Sequence, residues 1–304
     1  MKIAVVGAGA MGSLFGGLLA ASGENVTLVD VWREHVEAIN DKGLRIEGTN
    51  GGCVITVKAT SDPSSVGPVD LIILFVKSYD TLKATMDALP MVHEDTVFLS
   101  LQNGLGNIEK ISEAAGNDKV IPGTTAHGCT LKSPGEIVHA GSGPTIIGEP
   151  DGREMERIND IRDSLVRAGI ETEISQNITG ALWSKVLVNV GINPLTAING
   201  IRNGELLDDP EIKETMRQAI EEAINVADAL GIDLGPGDHV EHVYKVARAT
   251  ASNRSSMLQD VERGRKTEIG ALNGEIVRLA KTLGVDTPVN EALTASVKGL
   301  EKTG

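Results

Sequence analysis

Lys185, Asn189 and Asn193 carry the strongest chemical suggestion in this sequence, one ammonium and two amides at i, i+4 and i+8. That spacing stacks them along one edge of a helix. The surrounding stretch Ala181–Ile192 is apolar almost all round, so the helix is expected to be largely buried. Burial disfavours a charged lysine and moves its pKa toward the working pH, as a proton donor requires. A lysine snorkelling out of a core beside two turn-capping amides would fit the same residues, so the choice depends on what the rest of the chain supplies.

What it supplies first is an anion site. Lys2–Val6 is a short apolar run suited to a buried parallel strand. Gly7, Ala8, Gly9, Ala10, Met11 and Gly12 follow at once and open a helical stretch to about Ser22, after which Asn25–Asp30 reads as a second strand ending in an acid. In this strand, turn, helix and strand order, Gly7 allows the tight turn, Gly9 lets backbone amides approach a pyrophosphate, and Gly12 lets helix and strand pack closely. The helix N-terminus holds the anion. Asp30 stands where an acid accepts the adenosine ribose hydroxyls, and it would repel a 2'-phosphate, which favours NADH over NADPH. Arg33 could instead pair that phosphate, or be a solvated helix charge.

The elements positioning these groups follow from the alternation of patterns. Leu44–Glu47, Cys53–Lys58, Asp70–Val76 and Thr96–Leu101 read as continuing strands, with helices near 80–89 and 106–115, which implies a doubly wound parallel sheet. Ligands bind beyond the carboxyl ends of such strands. Two loops fall there, one with Lys77 and one with Asn103, although lysine at a strand end and Asn-Gly in a turn are both ordinary. Ile121–His127, Glu136–Ala140 and Thr145–Gly148 read as antiparallel strands closing the domain, with His127 and His139 as satisfied strand histidines. A helix near 154–168 and a strand Glu171–Ser175 complete it.

After Gln176 the texture changes to amphipathic helices, roughly 177–192, 209–230, 237–250, 256–263, 268–283 and 289–301. The expected fold is therefore α/β, a Rossmann-type dinucleotide-binding domain over 1–175 followed by an all-α domain for substrate and catalysis over 176–304. A pocket is expected where the two meet. Ser256 and Gln259 form an S-x-x-Q capping box that needs no ligand. Glu268 could be only a first-turn acid complementing a helix dipole.

Composition narrows the partner. The 304 residues carry a net charge of -14 and 2% aromatics, which argues against nucleic acid, whose binding needs a basic face or stacking rings. No apolar run is long enough to span a bilayer. The run from Met1 to Gly23 is broken by Gly7, Gly9, Gly12, Gly16 and Gly17 and would orphan the strand at Asn25 if removed, so it reads as mature structure rather than a secretory leader. Cys53 and Cys129 lack disulfide-framework or zinc spacing and read as small buried hydrophobes, with a cytoplasmic location as the default. A homodimer is compatible with the acidic surface but not implied by it.

Taken in order, Gly7–Gly12, Gln102-Asn103-Gly104, Leu182-Trp183-x-Lys185, Asn193–Ala197, Asn203-Gly204-Glu205, Ser255–Asp260 and Thr267-Glu268-Ile269 resemble the ketopantoate reductase (2-dehydropantoate 2-reductase) family from residue 1 to about 290. The resemblance implies NADPH-dependent reduction of 2-dehydropantoate, a small 2-oxo acid, to pantoate in pantothenate and coenzyme A biosynthesis. It further implies Lys185 as proton donor, with Asn189, Asn193, Asn203 and Ser256 on substrate and Asn253 beside them. Asn103 would contact nicotinamide and substrate, Lys77 would lie near the cofactor, and Glu268 on the cofactor side of the cleft. One departure stands out, since Val29-Asp30-Val31 occupies the place where family members keep a basic residue for the 2'-phosphate. The alternatives are a broader D-2-hydroxyacid dehydrogenase on the same frame and a non-catalytic NAD(P)H sensor.

Overall fold

The computed structural model describes residues 1–48 and 51–301 in two compact units, Met1–Gln102 with Asn107–Ile178, and Asn103–Gly106 with Thr179 onward. In the first, the chain runs β1 (Lys2–Val6), α1 (Ala10–Ala21), β2 (Asn25–Val29), α2 (Arg33–Lys42), β3 (Leu44–Gly48), β4 (Cys53–Ile55) and β5 (Lys58–Thr60). It continues through β6 (Leu71–Leu74), α3 (Thr81–Ala88), β7 (Val97–Ser100), α4 (Asn107–Ala115) and β8 (Val120–Thr125). The remainder is β9 (Gly128–Ser133), β10 (Glu136–Gly141), β11 (Thr145–Ile147), α5 (Glu156–Arg167) and β12 (Thr172–Ile174).

Eight strands form the main sheet in the order β12-β11-β8-β7-β6-β1-β2-β5. From β8 to β5 every neighbouring pair is parallel, and β11 alone runs antiparallel to β8. Because successive strand side chains point to opposite faces, β1 sends Ile3 and Val5 into one buried cluster with Leu14, Phe15 and Leu19 of α1. It sends Ala4 and Val6 into another with Ala88 of α3 and Ile111 of α4. Both faces are covered by helices, as a parallel sheet requires. From β1 the chain turns first to β2 on one side and later to β6 on the other, so the carboxyl end of β1 is a topological switch point.

Two expectations need correction. The run Cys53–Lys58 is not one strand, since β4 and β5 belong to different sheets. Nor do all the early strands extend the main sheet: β3 and β4 join β10 and β9 in a separate four-stranded sheet, β4-β3-β10-β9. Alternating apolar residues specify a strand but not its partner, and β3 pairs in parallel with β10, some ninety residues away. Part of the turn between β3 and β4 lies outside the described residues.

The second unit is helical: α6 (Ile178–Asn199), α7 (Pro210–Ala229), α8 (His239–Ala249), α9 (Ser256–Glu262), α10 (Asn273–Leu283) and α11 (Pro288–Glu301). Helix α6 is the central one, burying Trp183, Val186, Leu187 and Val190 against Met216, Ala219 and Ile220 of α7 and Ile276 of α10. It continues seven residues past its expected end, through Pro194. A helical proline removes the donor to the carbonyl four residues earlier, here that of Val190. Asn273 supplies the replacement, donating from Nδ2 to Val190 O at 3.2 Å and to Asn290 Oδ1 at 2.9 Å. The Asn273→Ala variant is therefore expected to lose about 1–3 kcal/mol of stability, the cost of a buried unpaired carbonyl. Urea unfolding measures it, and a midpoint equal to wild type would show that Val190 O finds another donor.

Candidate active site

The glycine turn after β1 has the geometry each position requires. Gly7 sits at φ +89°, and a Cβ there would lie 2.6 Å from Val76 N. A Cβ on Gly12 would collide with the carbonyl oxygen of Gly7, whereas one on Gly9 meets no protein atom within 4 Å. Two glycines are thus demanded by packing and the middle one borders open space. Helix α1 starts at this point with no side-chain cap and no acid in its first turn, leaving its amides to an anion. Asp30 follows β2 and accepts the Trp32 N–H at 2.9 Å through Oδ1. Arg33 and Trp32 are exposed, and Val31 almost fully so.

In the helical unit, α6 puts Lys185, Asn189 and Asn193 on successive turns, as their spacing predicts. A narrow cavity is lined by Asn103, Asn193, Ser256, Met257, Asp260, Glu268 and Leu272. The Thr196 and Ser255 hydroxyls lie 2.7 Å apart and tie α6 to the start of α9, so Asn193 and Ser256 face the same space. Asn103 enters through the loop 103–106, whose Leu105 N–H donates to Ala271 O at 2.9 Å. Gly104 permits that approach, since at φ +83° its Cβ would stand 2.6 Å from the same oxygen.

Burial pushes the Lys185 ammonium down to about 8, and the charge of Glu268 only partly offsets this. Glu268 is itself buried. A lysine near pH 8 holds a proton at neutral pH yet releases it readily, the condition for general acid work. Asn189 Nδ2 and Asn203 Oδ1 are buried without hydrogen-bond partners. Buried amide atoms in native proteins are nearly always paired, so these two atoms are available to a ligand group.

Three further expected residues are not in the lining of that cavity. Asn203 is buried and held by its Nδ2 donating to Thr250 Oγ1 at 2.9 Å. Asn253 is exposed and does not line the cavity, contributing its carbonyl oxygen to the Asn203 N–H at 3.1 Å. Lys77 is half-buried in the turn after β6, its carbonyl accepting from Asp80 N. The capping box at Ser256 does not form: Ser255 is the cap, accepting from Leu258 N at 3.0 Å, while Gln259 Nε2 donates to Arg254 O. This leaves the Ser256 hydroxyl for the cavity.

His127 and His139 are not separately satisfied strand histidines. Their rings stack with centroids 5.3 Å apart, His127 Nδ1 lies 3.1 Å from His139 Nε2, and His127 Nε2 is buried without a partner. Cys53 is exposed, contrary to expectation, while burial pushes the Cys129 thiol up to about 12. Asp260 was not anticipated, although it is the i+4 neighbour of Ser256 and the i+3 neighbour of Met257 on the helix surface.

Among the described residues no helix is long and apolar enough to cross a membrane, and no cluster of three His, Cys, Asp or Glu could hold a metal. The family model described as Ketopantoate reductase PanE/ApbA matches residues 3–152, and its C-terminal counterpart matches residues 177–301. A 2-dehydropantoate 2-reductase of Pyrococcus horikoshii is 43% identical, covering 100% of this chain and 99% of that protein. A ketopantoate reductase crystal structure from Ralstonia eutropha superposes with a TM-score of 0.93 at 34% identity, covering 100% and 99% of the two chains. The ternary structure of D-mandelate dehydrogenase with NADH and anilino(oxo)acetate does so with a TM-score of 0.94 at 31% identity, again covering 100% and 99%. With both family models spanning nearly the whole chain, one on each side of residue 165, the protein belongs to the ketopantoate reductase family.

Proposed function

We propose that this protein is an NAD(P)H-dependent 2-dehydropantoate 2-reductase, with Lys185 as the proton donor. The observation that carries the reading is Lys185, buried so that its pKa falls to about 8, beside Glu268 and one turn from the orphaned Asn189 Nδ2. An ammonium and a free amide donor on one helix edge suit an anionic 2-oxo acid. The domain over 1–175 binds the nucleotide and that over 176–304 the acid. Gly7, Ala8, Gly9, Ala10, Met11 and Gly12 hold the pyrophosphate, Asp30 the adenosine ribose, and Lys77 lies toward the same ligand. The reduced nicotinamide nucleotide supplies a hydride for the 2-oxo carbon.

The chain's own residues do the rest. The Lys185 ammonium hydrogen-bonds the substrate carbonyl oxygen and gives up its proton as that oxygen becomes a hydroxyl. Glu268 keeps the ammonium protonated against the pull of burial. Asn103, Asn189, Asn193 and Ser256 orient the acid, and Asn253 supports Asn203 through its backbone. Asn203 Oδ1, a buried acceptor without a donor, fits the hydroxyl that 2-dehydropantoate carries and simple alkyl 2-oxo acids lack.

A second reading, a broader D-2-hydroxyacid dehydrogenase, is favoured by the likeness to D-mandelate dehydrogenase. Loss of reduced-nicotinamide absorbance with 2-dehydropantoate and a panel of alkyl and aryl 2-oxo acids separates the two. The highest kcat/KM is expected for 2-dehydropantoate. An aryl or alkyl acid preferred over it would establish the second reading, and no oxidation with any acid would leave a binding protein. In the same assay Asp30 is expected to make NADH at least as good a cofactor as NADPH, and a large NADPH advantage would sink that assignment.

A further inference from the structure

A chain of hydrogen bonds runs from the β9–β10 turn to the glycine loop. The Gly135 N–H donates to His35 Nδ1 at 3.0 Å, His35 Nε2 lies 3.1 Å from Ser13 Oγ, and Ser13 Oγ donates to Ala8 O at 2.7 Å. The direction is fixed throughout. Gly135 can only donate, so Nδ1 must be the unprotonated acceptor and Nε2 must carry the hydrogen. Ser13 then spends its own hydrogen on Ala8. All three side chains or loops are buried: Ser13, His35 and Ala8 show no exposed surface.

Ala8 O belongs to the peptide unit that carries the Gly9 N–H. A trans peptide is planar, with its C=O and N–H pointing opposite ways. Anchoring the carbonyl inward therefore aims the Gly9 N–H outward, into the open space beside Gly9 where an anion meets the start of α1. We propose that Ser13 and neutral His35 are positioning residues for the cofactor, orienting the Ala8–Gly9 peptide so that its N–H meets the pyrophosphate. Nothing in the reaction touches them. The proposal rests on the nucleotide-binding reading given above.

Protonating His35 breaks the Gly135 end of the relay, because Nδ1 becomes a second donor facing the Gly135 N–H, and so loosens the imidazole whose Nε2–H steadies Ser13. Burial already holds its pKa below 6.5, against a smaller opposing pull from Asp30. Trp32 stacks on the ring at 5.3 Å, and α1 carries no charged residue. The strands packed on α2 bring Lys58 of β5, which is exposed, and Arg45 and Glu47 of β3, which pair with each other. On α2 itself Arg33, Glu34, Glu37, Asp41 and Lys42 are exposed. Lys132 of β9 is drawn to Glu47 and Glu136. An unfolded imidazole takes up a proton near pH 6.5 while the folded one resists, so folding stability falls below pH 6.5; nucleotide binding, which involves only the folded protein, stays level until the pH reaches the folded imidazole's own lowered pKa.

ADP-ribose is the probe, since it carries the pyrophosphate without the acid-labile dihydronicotinamide, and calorimetry reads its Kd without turnover. Wild-type affinity is expected to be level from pH 8 to 6.5 and to weaken only below that, as the pH falls toward the lowered pKa of His35, by less than tenfold at pH 5.5. His35→Gln, whose amide still donates toward Ser13 and does not titrate, should bind with a level affinity across that range while keeping Asp30 in place. Ser13→Ala should bind about tenfold more weakly at pH 8. An acid loss that persists in His35→Gln, or wild-type affinity in Ser13→Ala, would each overturn the relay. Should Ser13→Ala not fold, the His35→Gln profile decides. A wild type that binds no ADP-ribose at pH 8 overturns the nucleotide reading and the relay together.

Discussion

Replacing Lys185 with methionine is expected to lower kcat by about 10²- to 10⁴-fold, the usual worth of a positioned general acid, while leaving KM for the oxo acid changed far less. The pH dependence of the wild type follows from the same residue. Only the ammonium can donate, and burial brings its pKa down to about 8, so kcat/KM should be level below that point and fall tenfold per unit above it. A profile still level at pH 9.5 would remove Lys185 from the role. Stability moves the other way. The folded protein gives up this proton near 8 and the unfolded chain near 10.5, so stability rises with pH across that window and the cost of burying the charge is complete below it. That cost is at most about 3 kcal/mol, and the methionine variant should melt at a higher temperature than wild type even as it loses turnover. Glu268, left without its cation, offsets part of the gain.

Gly9→Ala and Gly12→Ala are expected to fail for opposite reasons. At Gly9 the protein leaves a methyl group room, so the variant should unfold at the wild-type urea midpoint yet bind NADH more weakly by a factor of ten or more, roughly 1.4 kcal/mol. The lost space is that in which backbone meets pyrophosphate. At Gly12 the added carbon runs into the carbonyl oxygen of Gly7, a residue held in place by its N–H donating to Val29 O at 2.9 Å. Backbone cannot yield as a flexible side chain can, and the variant should lose about 1–3 kcal/mol of stability, as overpacked sites do. An alanine at Gly9 that binds normally would show that no phosphate approaches there.

The first strand, glycine turn, helix and acid were legible because each is local: a period-two run, three glycines with distinct steric duties, and an anion-ready helix start within thirty residues. Helix α6 was legible from its apolar surround, although Pro194 hid its last two turns. The four-stranded sheet was not, because β3 and β10 must find one another across the chain and nothing in either run names its partner. Adjacent serines at 255 and 256 offered two equivalent caps, and only the Thr196 hydroxyl selects the first. The family resemblance placed Asn253 beside the substrate residues; its side chain is exposed and its backbone oxygen serves Asn203. Asp260 was obscured by an apparently ordinary cap and helix.

The tetrapeptide Asn103–Gly106 follows β7 in sequence yet packs as part of the helical unit, with Leu105 bonded to Ala271 O and Gly104 lying too close to it for any side chain. Recombination between family members therefore has a hidden seam. A chimera cut once near residue 178 inherits its 103–106 segment from one parent and the residue at 271 that receives it from the other. Parents that differ at 104 or 271 would be mismatched inside the helical unit itself, at the loop that delivers Asn103. The transferable cassette is two pieces of chain.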